Sequence, residues 1–300
     1  MAKILVVGSA NADLVTYVDK MPKEGETRLG ESFSINAGGK GANQAVACAK
    51  AGGNVTLLAK IGQDEYGKMI ESTLIENNVN TKLLLDSESQ TGVASITVDS
   101  QTGENKIVVV KGANDKLTIQ DINDNIELIK QSDILIVQLE IPLHVARHAI
   151  LIGYLAHKTV ILNPAPAQKL NNDILKYVTY LTPNKTELEI LADMEIHNEK
   201  DLKIAIEKVA SYGVKSIIVT LGDKGAVLYK RKEMTYIPSY KVDAIDTTGA
   251  GDCFNGVFAA YLAKRYNAIE SVKYAMKAAS ICVTREGTIK AMPSKKEIHI

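Results

Sequence analysis

The residues best placed to do chemistry lie in the run Asp246-Thr247-Thr248-Gly249-Ala250-Gly251-Asp252-Cys253-Phe254-Asn255-Gly256. Gly249 and Gly251 let the backbone turn tightly and aim several N–H groups at one point. An apolar helical run, Val257 to Leu262, follows, so a helix N-terminus adds positive dipole and the turn suits an anion. Asp252 stands inside it, a carboxylate among amides that attract negative charge. Two roles suit it. As a base it takes a proton from an attacking hydroxyl while the amides stabilise a transferring phosphoryl group. As a helix cap it does no more than accept backbone hydrogen bonds. Spacing alone leaves both open; the Gly-Ala-Gly turn, with Asp246 before it, favours the base.

The common nucleotide motifs are absent. Gly39-Lys40 is followed by Gly41 rather than Ser or Thr, and no strand-linked GxGxxG or protein-kinase signature occurs. Cys253 reads as a small core residue rather than a nucleophile. His144, His148 and His157 lack the spacing and acidic partners of a zinc site, and His299 falls in a terminal tail expected to fray.

The elements that must position Asp252 alternate along the chain. Short β-branched runs occur at Ile4–Val7, Val55–Lys60, Ile134–Val137, Val160–Leu162 and Ile217–Thr220. Helical stretches lie between them at Gly41–Lys50, Tyr66–Asn77, Val145–Leu155, Asp201–Tyr212 and Glu270–Val283. Fully apolar strands divided by helices predict an α/β, doubly wound, three-layer sandwich with a mostly parallel sheet. Leu14–Ile35 and Thr91–Val110 break the rhythm, being strand-like with no helix between strands. Ser95–Val98 and Lys106–Val110 flank a Gln101-Thr102-Gly103-Glu104 turn, the pattern of a hairpin. These regions read as one small sheet projecting from the core, either a lid that excludes water or an edge and dimer surface. No long linker or repeat interrupts the chain. One domain over residues 1–300 is expected, with lid strands inserted at about 14–35 and 91–110.

Composition narrows the partners. Lysine plus arginine and aspartate plus glutamate both number 35, so nothing calls for a nucleic acid or an acidic membrane. The three cysteines, Cys48, Cys253 and Cys282, form no CxxC pair, which suits a reducing cytoplasm and neither a disulfide framework nor a zinc site. The apolar stretch Ile4–Val7 is too short for a signal peptide, and no membrane span is present.

Taken in order, several blocks resemble the PfkB carbohydrate kinase family, most of all its ribose-phosphorylating branch. They are Gly8-Ser9-Ala10-Asn11-Ala12-Asp13, Ala37-Gly38-Gly39-Lys40-Gly41-Ala42-Asn43-Gln44, Gln138-Leu139-Glu140, Asn163-Pro164-Ala165-Pro166-Ala167, Thr182-Pro183-Asn184-Lys185-Thr186-Glu187, Thr220-Leu221-Gly222-Asp223-Lys224-Gly225 and the Asp246–Asp252 run. The resemblance covers nearly the whole length. It implies a Rossmann-like sandwich with a β-sheet lid, often a homodimer clasp, and transfer of the ATP γ-phosphate to the 5-hydroxyl of D-ribose. By the same resemblance Asp252 is the base, and Gly249, Ala250 and Gly251 build the anion hole with it. Asn11, Asp13, Gly38, Gly39, Lys40, Asn43 and Glu140 would hold the sugar, although Asn11 and Asp13 also suit plain turn positions.

For ATP the resemblance points to Asn184, Thr220, Gly222, Asp223, Lys224 and Gly225, with Gly251 and Met276. Glu187 would organise Mg2+ through water; without the resemblance Asn184 and Glu187 read as a capping pair. A monovalent cation, usually K+, would sit by Asp246 and Thr248, near Cys282, Arg285, Gly287 and Ala291. Three positions depart from the pattern. Ala291 stands where relatives carry serine, Met276 where they often carry asparagine, and Lys111, before Gly112-Ala113-Asn114, where a small or apolar residue is commoner. Other readings stay open: a related kinase for deoxyribose, another sugar or a nucleoside, and a sugar- or nucleotide-binding regulator without catalysis. A nucleoside base would have only Phe33 and Tyr17 as obvious aromatic lid partners. A dinucleotide oxidoreductase would need a glycine fingerprint that is absent.

Overall fold

In the computed structural model, which describes residues 2–170 and 172–300, the apolar runs become strands buried on both faces. β1 (Lys3–Val7) opens the central sheet, and β2 (Asn11–Val18) and β3 (Ser32–Gly38) leave it. β4 (Asn54–Gly62) and β5 (Asn80–Asp86) return, after which β6 (Gly92–Asp99) and β7 (Asn105–Val110) leave again. β8 (Ile134–Val137), β9 (Thr159–Leu162), β10 (Tyr180–Leu181), β11 (Ser216–Thr220), β12 (Ala226–Lys230) and β13 (Glu233–Ile237) complete it.

The order across this sheet is β13-β12-β11-β10-β9-β8-β1-β4-β5. All neighbours from β11 to β5 run parallel, and β12 and β13 add antiparallel at one edge. Along β1 the side chains alternate: Ile4 and Val6 enter one core, Leu5 and Val7 the other. Helices α1 (Lys40–Lys50) and α2 (Glu65–Glu76) cover the Ile4 face. The Leu5 face is covered by α3 (Ile119–Asp124), α4 (Ile126–Gln131), α5 (Leu143–Leu155), α6 (Lys185–Ala192) and α7 (Glu199–Ala210). Finally α8 (Ala250–Ala263) and α9 (Ala268–Cys282) return to the first face. Because β1 lies between β4 and β8, the chain departs to both sides of it. That reversal opens a crevice at the carboxyl ends of β1 and β8.

The small sheet has the order β3-β2-β6-β7. Its β2–β6 pair is parallel, and its outer pairs are antiparallel. β2 begins three residues before the expected Leu14, and Asp19–Glu31, rich in charge and glycine, forms a connection rather than strand. The β6–β7 hairpin turns where expected, with the Asp99 carboxylate accepting the N–H groups of Gln101 and Thr102.

One close approach decides where the crevice residues stand. A Cβ built on Gly256 in α8 would lie 2.3 Å from the Gln44 carbonyl oxygen and 2.8 Å from the Cys48 nitrogen. The backbones of α1 and α8 therefore touch directly. Gly256→Ala should force the helices apart and lower stability by about 1–3 kcal/mol. A thermal unfolding midpoint equal to that of the parent would refute this.

Candidate active site

The crevice floor is the first turn of α8. Gly249 precedes it at φ 75°, a left-handed conformation that glycine adopts without cost. No side chain caps the helix. Its Ala250 N–H reaches the Thr247 carbonyl at 3.3 Å, whereas the Gly251 and Asp252 N–H groups have no partner among the described residues. A Cβ on Gly251 would meet nothing within 4 Å, so the approach to these amides is open. The turn can receive an anion.

Asp252 is buried, and its carboxylate accepts no hydrogen bond from its own helix. Asn43 Nδ2 donates to Oδ2 at 2.9 Å and Gln44 Nε2 to Oδ1 at 2.9 Å. The capping role is therefore excluded. Gln44 Nε2 also donates to Asn163 Oδ1 (3.0 Å), and Gln44 Oε1 accepts from Gln138 Nε2 (2.7 Å). The chain of amides runs on: Asn163 Nδ2 donates to the Thr182 carbonyl and the Thr182 hydroxyl to Asn255 Oδ1. Asn255 Nδ2 then donates to the Gly251 carbonyl, back at the anion turn. Gln44, Gln138, Asn163, Thr182 and Asn255 were no more than members of sequence blocks. Their residue types alone do not say that they are buried around one carboxylate.

The residues expected at the sugar meet above this floor. Asn11 and Asp13 lie two apart on β2 and so share a face, and Asn11 pairs with Gly38 across β3. The Asp13 carboxylate lies over Gly38, where a Cβ would be 2.0 Å from Oδ2. Glu140 follows β8; its Oε2 accepts from the Lys40 N–H at 3.0 Å and from the Ser9 hydroxyl. It thereby caps α1, whose preceding Gly39 has no side chain to do so. Burial pushes the Asp13 carboxyl up to about 7, and the nearby charges of Glu140 and Asp252 push the same way. Burial alone would lower the Lys40 ammonium, but Asp252, Glu140 and Glu187 outweigh it and hold its pKa above the ordinary value.

On the expected nucleotide side, Asn184 and Glu187 form the capping box of α6. Asn184 Oδ1 accepts from the Glu187 N–H at 2.8 Å, and Glu187 Oε2 from the Asn184 N–H at 2.9 Å. Burial raises the Glu187 carboxyl, opposed by that backbone bond and by Lys40. Thr220 bridges to Asn184 at the end of β11, and Gly222, Asp223 and Lys224 form a 3-10 turn closed by Leu221 N–H to the Gly225 carbonyl. Met276 is buried in α9 among core residues.

Asp246 gathers the expected cation segment, accepting from the Thr248 N–H at 2.8 Å and the Gly287 N–H at 2.9 Å. The Cys282 carbonyl accepts from the Arg285 N–H, and the Ala291 carbonyl faces the Arg285 guanidinium at 3.5 Å. Cys253 is buried, as its small-core reading required. His148 bonds Asn123 on an exposed surface, and no cluster of three acidic, histidine or cysteine side chains forms a metal cage among the described residues.

Asp13 links this geometry to pH. A carboxyl raised from 3.8 to about 7 keeps its proton in the folded state, so stability falls as pH rises through that window. Asp13→Asn should remove the fall. At pH 8 the unliganded variant should exceed the parent by up to about 4 kcal/mol, and at pH 4 the two should match. Urea unfolding at both pH values checks this; equal slopes with pH would refute it.

Comparison with known proteins places this crevice. The family model described as pfkB family carbohydrate kinase matches residues 1–295. A deoxyribokinase of Salmonella typhi is 38% identical over 298 residues, 99% of this chain and 97% of the relative. A ribokinase of Bacillus subtilis is 39% identical over 300 residues, 100% of this chain and 99% of its own. The solved ribokinase of Arabidopsis thaliana, complexed with ribose and ATP, superposes at a TM-score of 0.93 with 32% identity, covering 99% of this chain and 97% of that one. The protein is thus a phosphotransferase acting on a sugar hydroxyl, and this chain belongs to the PfkB family of carbohydrate kinases.

Proposed function

We propose that the protein transfers the γ-phosphoryl group of ATP to the 5-hydroxyl of D-ribose. The observation that carries this reading is the Asp252 carboxylate, held at both oxygens by neutral amides beside two unpartnered N–H groups of α8. In this mechanism Asp252 accepts the hydroxyl proton, and the Gly251 and Asp252 amides, with Ala250, stabilise charge on the transferring group. Gly249 supplies the turn. Asn11, Asp13, Gly38, Gly39, Lys40, Asn43 and Glu140 hold the sugar under the small sheet, which acts as a lid. Asn184, Thr220, Gly222, Asp223, Lys224, Gly225 and Gly251 line the nucleotide side, with Met276 behind them. Phe33 is exposed on the small sheet, which favours a bare sugar over a nucleoside.

Mg2+ arriving with ATP would neutralise phosphate charge, and Glu187 is the acidic side chain placed to hold its water. Its carboxylate, held at Oε2 by the Asn184 N–H and with the charge of Lys40 opposing the rise in pKa that burial causes, fits that duty. For K+, the Asp246 carboxylate, Thr248 and the carbonyls near Cys282, Arg285 and Gly287 supply the hard oxygens such an ion takes, while Ala291 adds no side-chain oxygen. A cytoplasmic location suits the three free, buried cysteines.

Deoxyribose is the second reading, favoured by the 38% identical deoxyribokinase. ADP release from magnesium-ATP with ribose, deoxyribose, fructose and adenosine, each with and without K+, separates the two. Ribose should give the highest kcat/KM; preference for another acceptor would replace the ribose assignment. In the same assay Asp252→Asn should lower kcat about 10³-fold with ATP affinity within a factor of two. Near-normal turnover would end the base assignment.

We further propose a homodimer through the small sheet. Ile107, Val108, Val109 and Val110 of β7 are exposed at one edge of the small sheet, and Phe33 and Ile35 of β3 at the other, apolar surface suited to a second copy. Light scattering should give twice the chain mass for the parent and the single mass for Val108→Asp. A parent of single mass would discard the dimer.

A further inference from the structure

The segment Lys111-Gly112-Ala113-Asn114, where the chain leaves β7, has no part in the chemistry above. Yet Asn114 is 1% exposed, and its amide is fully engaged at the root of the small sheet. Its Oδ1 accepts from the Ala10 N–H at 2.9 Å. Its Nδ2 donates to the Ala10 carbonyl (3.1 Å), the Lys111 carbonyl (3.0 Å) and Asn11 Oδ1 (2.7 Å). Two hydrogens serve three acceptors, so one is shared. Gly92, at the start of β6, makes the room: a Cβ there would lie 2.3 Å from Asn114 Nδ2 and 2.4 Å from Asn11 Oδ1. One amide thus ties the beginning of β2 to the end of β7, packed against the beginning of β6. What serves at position 111 is a carbonyl, which any residue supplies, so its unusual lysine side chain is accommodated.

These bonds have a direction of command. Backbone groups cannot be turned over, so the Ala10 N–H and the two carbonyls decide which end of Asn114 is nitrogen. Reversed, its oxygen would face two carbonyl oxygens. Asn114 Nδ2 in turn decides Asn11, whose Oδ1 must face it. The edge of Asn11 left open is Nδ2, which has no partner among the described residues and is not sealed from solvent.

We propose that Asn114 is a positioning residue that presents Asn11 to the sugar as a hydrogen-bond donor. The site then reads an oxygen lone pair through Asn11, on the same face of β2 as Asp13. This rests on the assignment of Asn11 to the sugar, made above.

The test is a double-mutant cycle on Asn11 and Asn114, with the sugar that turns over fastest in the panel. Asn114→Asp sets an oxygen against three acceptors, or turns Asn11 to offer its oxygen instead. It should raise the sugar KM about 10- to 100-fold and leave the ATP KM within twofold. Asn114→Ala, which releases Asn11 without repelling it, should raise the sugar KM about threefold to tenfold and covers the case in which the aspartate variant does not fold. In an Asn11→Ala background both effects on sugar KM should shrink to less than twofold. An unchanged sugar KM in Asn114→Ala, or equal increases in both backgrounds, would overturn the proposal, since a merely structural residue acts alike in both. If Asn11→Ala itself leaves sugar KM unchanged, the sugar assignment of Asn11 fails and the proposal falls with it.

Discussion

Everything in the crevice depends on keeping one carboxylate buried and pointed. A buried carboxylate without partners costs several kcal/mol. An arginine or lysine in direct contact would remove that cost and much of the basicity with it. The solution at Asp252 is two neutral amides, Asn43 and Gln44, one on each oxygen. They reach it from α1 because Gly256 lets the α1 and α8 backbones meet. Gln44 is held in turn by Gln138 and Asn163. Loops following β8 and β9 are thereby locked to the helix that carries Asp252.

Charge around this centre is one-sided although the chain as a whole is balanced. Asp13, Glu140, Glu187 and Asp252 all act on one another or on Lys40. Such a surface is hostile to phosphate, whereas the open N–H groups of α8 can attract an anion without being titratable. The acidic side suits a polyol, whose hydroxyls can both donate and accept. Dividing the crevice into an amide half and a carboxylate half suits one small volume to two ligands of opposite preference.

Much of this was legible in the residue pattern. The five β-branched runs are the strands β1, β4, β8, β9 and β11, because a strand buried on both faces must be apolar throughout. The tight turn at Gly249–Asp252 was legible because two glycines stand before an apolar helical run, whereas spacing alone left the role of Asp252 open. β10 was not legible: two residues, Tyr180 and Leu181, carry no period. β12 and β13 mix polar and apolar side chains at a sheet edge, where one side of the pairing is open. Asn184 and Glu187 show the opposite limit: the capping box seen in their spacing is present, and spacing did not reveal that the charge of Lys40 acts on Glu187. The buried amides Gln44, Gln138 and Asn163 were hidden for a physical reason. An amide looks the same in sequence whether it meets water or another amide, and only the helix contact at Gly256 decides which.

The outer strand β7 lends the fold a vulnerability in time. It offers four apolar residues and a free backbone edge to whatever strand arrives first. The small sheet is complete by Val110, whereas β8 to β13 and the helix that carries Asp252 come later in the chain. At synthesis rates of about 5–20 residues per second, that edge stands bare beside neighbouring nascent chains for on the order of ten seconds or more. The hazard is therefore set by the pace of translation and the crowding of ribosomes, rather than by how fast the finished sheet folds.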